Sequence, residues 1–549
     1  MHFLLILLSS FELNPETCYK FFMEKKSVTI NKIYWDRIWI YIDITTDVHM
    51  PLYLTRIKAA DKTPYSCELE VVSAEGSHYL LRVNVTNPGT NAQLPRGEYA
   101  ISNLSLKREA HYYPNIILSE ELSENLSACD KHFPYHIKKV YSVYFRKDNR
   151  FGMKLVVRNT IGKLTEEEAA LERKKAVKRR MAQDLYNTAR EAILSGRRLS
   201  PAREQCILLM SDQKNEPTGN LLAIRNELIK ERYTFREMYR SVLTEHFNKK
   251  QWLEAIRVLA WADYIFLDDH SPTLDWLTLK KTTIVQLWHA GAGFKSTGYS
   301  RFGMPASPGP KSGHRQYTFG IAGSIKIRHF FAEVWGINPE IVLPTGMPRL
   351  DSFLDPDEQA KTRADLILTY PYLMKHSNIL FAPTYRGRNK ADAHYPMDKL
   401  DFERIYKMCL DKDANFIIKN HPFVTEPAPI PEEYKDRIFD MTSYENINDL
   451  FLVTDLLITD YSSSIYEFSL MDKPMLFYAF DRDEYCSERG FHRDYESNVP
   501  GRIVTTFDEL IEAIYKEDYD FEKVAEYVDK NFDRIDCHAS ERVIKAILG

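Results

Sequence analysis

The chain has no Cys-x-x-Cys pair, no Gly-x-x-x-x-Gly-Lys-[Ser/Thr] loop and no apolar run near the roughly 20 residues that a membrane-spanning helix needs. Its seven cysteines, Cys18, Cys67, Cys129, Cys206, Cys409, Cys486 and Cys537, are scattered. That argues against a zinc site and fits a reducing cytosol. Without the phosphate loop a P-loop NTPase is set aside. Charge of one sign is also lacking: 73 Lys and Arg against 77 Asp and Glu leave a net −4. The whole molecule is therefore not a generic nucleic-acid binder, and an anion-binding surface must be local.

What is present is 549 residues with 44% hydrophobic content, enough for sizeable cores and roughly three to four domains. The opening MHFLLILLSS is apolar from Phe3 to Leu8 but lacks a basic flank and the length of a signal peptide. It reads as a membrane-touching extension or as sequence ahead of a true start at Met23, so residues 1–25 are set apart. Residues 26–160 are β-rich, with alternating β-branched and aromatic residues punctuated by turns such as Asn87-Pro88-Gly89. The pattern predicts a small antiparallel sandwich or barrel without a catalytic constellation, an accessory or docking domain. Residues 161–204 predict a helical connector, with Thr165 and Glu168 as a capping box. Its basic run includes Arg173, Lys174, Lys178 and Arg179. A solvated face accounts for such a run; a surface for anionic lipid headgroups is the sharper alternative.

From Gln205 onward strand-like and helix-like segments alternate in two groups. CILLMS, YIFLDD, TIVQLW, TFGIAG and IVLPTG form the first; ILFAPTY, NFIIKN, DLLITD and MLFYAF form the second. Two doubly wound α/β domains facing a cleft are expected, at 205–365 and 366–549. In such sheets ligands sit at the carboxyl ends of the strands, and five strand ends carry suitable residues. The apolar Leu456 to Ile458 ends at Asp460 and enters Ser462-Ser463-Ser464, which predicts a helix start for a phosphate. Glu467, one turn further, is placed to reach a ribose hydroxyl. His289 enters the glycine-rich turn Ala290 to Gly293 ahead of Lys295, as a general base should, with Gly291 permitting close approach. His421 is fixed by Pro422, and Lys419 two residues earlier would share its face in a strand. Arg349 follows Thr345-Gly346, and Thr384 and Arg386 follow Ala382-Pro383; guanidiniums pair bidentately with phosphate oxygens. For each of these residues an ordinary cap, salt bridge or core role is the bland alternative, and their concentration in one sheet system favours a site.

The motifs WHAGAGFKSTG, PTGMPRLD, FAPTYRG, KNHPF, NDLFLVTDLLITDYSSSIYEF and KPMLFYAFD together resemble the CDP-glycerol glycerophosphotransferase family, the polyol-phosphate transferases and polymerases of Gram-positive wall teichoic acid. The resemblance runs from about Gln205 to the C-terminus. Many glycerol-type members read W-H-G-T-P-L-K at the first histidine. This chain reads W-H-A-G-A-G-F-K, followed by Tyr299-Ser300-Arg301, with AHYP at Ala393 to Pro396 and INKIYWDR in the front region. That looks most like the poly(ribitol-phosphate) polymerase branch. Departures at Ala292-Gly293 and Lys419-Asn420 bear on polyol choice more than on reaction type.

The resemblance implies a GT-B fold, a CDP-ribitol donor with CDP-glycerol as the alternative, and a lipid-linked teichoic acid acceptor at the inner membrane surface. It implies peripheral attachment to the cytoplasmic face of the membrane; the charge balance adds no nucleic-acid partner, and no carboxylate pair or His cluster with ligand spacing demands a cofactor, with a divalent metal and a homo-oligomer left open. In this scheme His289 is the base on the acceptor hydroxyl. His421, Lys419 and Arg386 stabilise phosphoryl and leaving-group charge, and Ser462, Ser463 and Asp460 line the donor site. Competing readings are a capsule polymer as product, a nucleotide-sugar glycosyltransferase, and a degenerate membrane-bound assembly partner. Intact His289, His421 and Asp460-Tyr461-Ser462-Ser463 disfavour the last.

Overall fold

The computed structural model describes residues 27–48, 50–105, 110–136, 138–197, 205–241, 248–291, 295–305, 307–387 and 391–549. The apolar opening, Met23, Arg198, Arg203, Ala292-Gly293 and Arg388 lie outside the described residues. The chain divides into two compact units. One is Met1–Val177 with Thr297–Arg315 and Glu333–Asn338; the other is Lys178–Ser296, Gln316–Ala332 and Pro339–Gly549.

In the first unit, β-branched and aromatic alternation produces two sheets. One has the spatial order Glu70–Glu75, His78–Asn84, Trp39–Thr46, Ser27–Asp36, Asn115–Leu118. Its pairings are antiparallel except Ser27–Asp36 with Asn115–Leu118. The other runs Lys131–His136, Lys139–Asp148, Gly152–Ile161, Gly97–Ser105, Leu52–Lys58, Ser66–Glu68, with Ala110–Tyr112 beside Gly97–Ser105. Period-two burial sends Ile40, Ile42 and Ile44 of one sheet and Val143, Phe145, Leu155 and Val157 of the other into a single core. Thr297–Arg315 joins this unit from far along the chain. Phe302 stacks on Phe133 at 5.4 Å, and Arg315 lies 4.1 Å over Tyr299 while donating to the Thr86 carbonyl.

The helix Glu166–Arg197 is opened by the Thr165/Glu168 capping box, with both reciprocal hydrogen bonds formed (2.7 and 3.2 Å). Its C-terminal half is pinned by Arg190, 1% exposed, which donates to the Ala260 and Lys281 carbonyls and to Asp263 Oδ1 at 3.1 Å.

The second unit contains two six-stranded, wholly parallel sheets built from short apolar strands. The first has the order Phe235–Tyr239, Ile207–Ser211, Tyr264–Leu267, Thr283–Gln286, Phe319–Ile321, Val342–Leu343. The second has Ile438–Asp440, Ala414–Ile418, Ser377–Phe381, Leu456–Thr459, Met475–Tyr478, Arg502–Val504. Each reverses direction of strand addition once, the switch point at which doubly wound sheets bind ligands. In the first sheet it lies between Ile207–Ser211 and Tyr264–Leu267, in the second between Ser377–Phe381 and Leu456–Thr459. One core joins Leu209, Phe266 and Val285 to Leu380, Ile417, Leu457 and Phe477. The helix Ala539–Leu548 packs on the helix Gly219–Lys230 of the first sheet. It is capped there by Asp351, which accepts from the Ala539 and Ser540 N–H groups at 2.8 Å each.

Candidate active site

The strand Thr283–Gln286 delivers His289 through a tight turn. Trp288 takes a positive φ of 56°, a strained conformation for a bulky residue that its surroundings must enforce. Gln286 Oε1 accepts from the Trp288 N–H at 2.9 Å, and Asn220 Nδ2 donates to the Leu287 and Trp288 carbonyls at 2.9 and 2.8 Å. The His289 side chain is 55% exposed, and its Nδ1 lies 3.2 Å from Asp269 Oδ2. Asp269 stands at the first sheet's switch point, where Gln286 Nε2 donates to its carbonyl. Burial raises its carboxyl pKa, but the hydrogen bond and charge of His289 outweigh burial and hold it below the ordinary value. An Nδ1–H donated to Asp269 leaves Nε2 as the proton acceptor, the arrangement of an oriented general base.

Gly291 is required by packing. A Cβ there would come within 2.2 Å of the Tyr466 ring, so the close approach is to a side chain of the short helix Ile465–Phe468 that follows the second sheet's Asp-Tyr-Ser-Ser segment. Arg349 ties the same two regions together, donating to the His289 carbonyl and to the Glu467 carboxylate. Glu467 is thereby buried in an ion pair, at 4% exposure. Lys295 pairs through its backbone with Phe491 and holds its Nζ 5.6 Å over the Tyr485 ring.

His421 stands just beyond the strand Ala414–Ile418, its ring 4.7 Å from Tyr385 and 4.7 Å from Phe423. The Phe423 N–H donates to its Nδ1 at 3.2 Å. That leaves the proton on Nε2 and makes a neutral imidazole a donor. Burial, then the charges of Lys295 and Lys419, push its pKa down to about 4. The strand ends before Lys419, so its side chain does not follow strand alternation: buried, it donates to the Thr442 carbonyl at 3.0 Å. Burial lowers its own pKa.

Thr384 and Asp460 come from the two strands flanking the second switch point and are bridged directly. The Thr384 N–H donates to Asp460 Oδ1 at 2.8 Å, as does the Tyr461 N–H at 2.6 Å. Arg386 is committed within the protein: to Asp481 through Nε (2.5 Å) and Nη2 (2.9 Å), and through Nη1 to the Thr384 carbonyl and Asp460. Four rings, Tyr395, Tyr461, Phe480 and Tyr485, surround it. Ser462 Oγ accepts from the Ser464 N–H, and the helix starts only at Ile465 and runs four residues. The serines thus form a turn ahead of the helix instead of its first turn.

Arg173, Lys174, Lys178 and Arg179 are all exposed on the long helix. At the second sheet's strand ends, Thr384 Oγ1 and the whole side-chain amide of Asn420 are buried without a partner among the described residues. Sequence reasoning did not select Asp269, Asp481 or Asn420. The first had a signal, a pair of acids ending the apolar strand YIFLDD; the others became visible only through partners. Among the described residues no group of three His, Cys, Asp or Glu side chains is spaced to hold a metal.

A histidine paired to a carboxylate at the end of one parallel sheet, and a second histidine beside a switch point with an unpartnered hydroxyl on another, belong to a two-sheet α/β protein. Residues 194–549 match the family described as CDP-Glycerol:Poly(glycerophosphate) glycerophosphotransferase. The chain belongs to that family and is a polyol-phosphate transferase. It is 35% identical over 485 residues to the teichoic acid poly(ribitol-phosphate) polymerase of Bacillus spizizenii, covering 85% of this chain and 77% of that one. It is 29% identical to the ribitol-phosphate polymerase TarL of Staphylococcus aureus, over 96% of this chain and all of the relative. Among solved structures, the wall teichoic acid polymerase TagF superposes with a TM-score of 0.53 at 19% identity, over 69% of this chain and 97% of that one. That likeness supports the α/β fold.

Proposed function

We propose that the protein is a poly(ribitol-phosphate) polymerase, extending a lipid-linked teichoic acid chain from CDP-ribitol in a GT-B arrangement whose two sheets present their strand ends to one cleft. The observation that carries the mechanism is the Asp269–His289 pair at the end of the first sheet. His289 Nε2 takes the proton of the acceptor's terminal hydroxyl as its oxygen attacks the β-phosphorus. The new O–P bond forms while the bond to the bridging oxygen breaks, and CMP leaves with that electron pair. His421 donates from Nε2 to the phosphoryl or leaving oxygen, and Lys295 and Lys419 supply positive potential beside it. Ser462, Ser463, Thr384 and Asn420 hold the donor. Arg386 and Asp460 organise the turn that presents these groups, a positioning role in place of the direct phosphate clamp expected from the sequence. Arg349 and Glu467 lock the histidine turn to the donor side.

The same reading puts the protein on the cytoplasmic face of the membrane. No helix among the described residues is long and apolar enough to cross one. The long helix, however, exposes Leu171, Val177, Met181 and Leu185 beside its basic residues, and each Lys or Arg at an anionic surface contributes about 1 kcal/mol. Flotation with anionic and neutral vesicles tests this, and equal recovery with both would remove it.

The deciding assay is CMP release with CDP-ribitol and, separately, CDP-glycerol, each with a lipid-linked glycerol-phosphate primer. Primer-dependent turnover of CDP-ribitol with long products supports the polymerase. Turnover of CDP-glycerol alone keeps the mechanism and overturns the polyol.

A further inference from the structure

Arg493 is 4% exposed, yet among the described residues no carboxylate is paired with it. Its guanidinium lies 4.1 Å over the Phe330 ring and donates once within the protein, from Nη1 to Asn531 Oδ1 at 3.5 Å. Among the described residues Nε and Nη2 have no partner. Two buried hydroxyls that interact electrostatically with it, those of Tyr466 and Tyr527, also have none. Burial raises both phenol pKa values, so both groups remain protonated donors. The nearby carboxylates are engaged elsewhere: Glu467 with Arg349, Asp494 with the Ser497 N–H, Asp529 with Lys326, and Asp533 with Ser324 and the Ile325 N–H. A buried cation with idle donors and two idle hydroxyls calls for an explanation in terms of a bound group. One positive charge with idle N–H groups and two idle hydroxyls that can donate beside it matches a singly charged oxyanion.

The position identifies which one. Gly323 follows the strand Phe319–Ile321, which pairs with the strand leading to His289. Tyr466 spans the interval: its ring edge lies against Gly291 in the histidine turn, and its hydroxyl lies against Gly323, where a Cβ would come within 1.9 Å. The oxyanion site is thus about one phenol ring from the turn that carries the base. A growing polyol-phosphate chain carries a phosphodiester one polyol unit back from its attacking hydroxyl.

We propose that Arg493, with Tyr466 and Tyr527, forms a phosphodiester subsite that grips the acceptor by the phosphate preceding its terminal polyol. The proposal rests on the polymerase reading and adds a grip on the acceptor to it: a phosphate held in this subsite draws the terminal hydroxyl toward His289.

The test uses the full chain and two variants, Arg493→Met and Tyr527→Phe. Donor affinity is measured by calorimetry with CDP-ribitol alone. Acceptor KM is measured by CMP release with a phosphodiester-linked primer and with one whose terminal polyol is joined through a neutral linkage. Arg493→Met is expected to raise the KM for the phosphodiester primer at least tenfold, leave donor affinity within twofold, and leave the KM for the neutral primer unchanged. Tyr527→Phe is expected to shift KM in the same direction by about threefold, and it stands in if Arg493→Met fails to fold. Weakened donor binding with an unchanged primer KM would assign the subsite to the donor and overturn the proposal. Unchanged values throughout would make the cluster structural. If the wild-type chain turns over no CDP-polyol, the polymerase reading fails by itself. Calorimetry of a glycerol-phosphate oligomer on wild type and Arg493→Met then still decides the subsite: binding lost in the variant supports it, and equal or absent binding overturns it.

Discussion

Replacing Asp269 by Asn isolates the orienting half of the base. The substitution keeps the size of the side chain and removes the charge that His289 Nδ1 faces at 3.2 Å. A hydrogen bond to a charged group contributes about 1.5–3 kcal/mol, roughly 10- to 150-fold in rate if it is realised fully in the transition state. The carboxylate is 28% and the imidazole 55% exposed, so solvent screening favours the lower end. The expected loss in kcat is therefore about 10- to 30-fold, with KM for the donor unchanged. Steady-state CMP release on Asp269→Asn, His289→Ala and the double variant measures it. His289→Ala should lose roughly 10²–10⁴ in turnover while folding normally. Because Asp269 acts through His289, the double variant should be no slower than His289→Ala alone. Asp269→Asn within twofold of wild type would refute the argument, as would losses that multiply in the double variant.

His421→Gln should lower turnover but leave the shape of the activity profile between pH 5 and 8 unchanged, because a group with a pKa near 4 is neutral throughout that range; disappearance of the acid limb would show that His421 titrates it. The same depression has a stability consequence. The unfolded imidazole takes up its proton near pH 6.5 and the folded one near 4, so this contribution is complete above 6.5 and is lost as pH falls through that window. Chemical denaturation at pH 7 and pH 5 should show a smaller difference in His421→Gln than in wild type. Gly291→Ala should depress both melting temperature and activity, because the new methyl meets the Tyr466 ring; unaltered melting would mean the turn yields freely. Arg190→Ala removes a buried guanidinium that donates to three carbonyls and to Asp263 and should lower stability by about 3–5 kcal/mol in urea titration, with the loss localised to the second unit by hydrogen exchange.

The strand-by-strand outline from Gln205 was legible because parallel strands buried on both faces appear as continuous apolar runs, and Ile207–Ser211 and Ala414–Ile418 do so. The capping box at Thr165 was legible because its two partners are three residues apart. Interactions across long separations were not. Arg386 appeared free for phosphate because Asp481, which takes two of its nitrogens, lies 95 residues away. The membership of Thr297–Arg315 in the β-rich unit depends on Phe302 meeting Phe133, a contact without local signal. The helix start slipped from Ser462 to Ile465 because Ser462 closes a side-chain turn with Ser464 that competes with helical geometry.

The return of Ala539–Leu548 to the first sheet sets a schedule for the ribosome. Gln205, at the edge of that sheet's first strand, donates to the Leu548 carbonyl 343 residues later. At 5–20 residues per second the sheet carrying His289, whose last strand is Val342–Leu343, waits roughly 10–40 s for the helix that covers it. Throughout that interval the face of Gly219–Lys230 that the helix will bury stays open to water and to chaperones. In a nascent chain the first sheet therefore lacks the cover of its Gly219–Lys230 helix until the second sheet has been made.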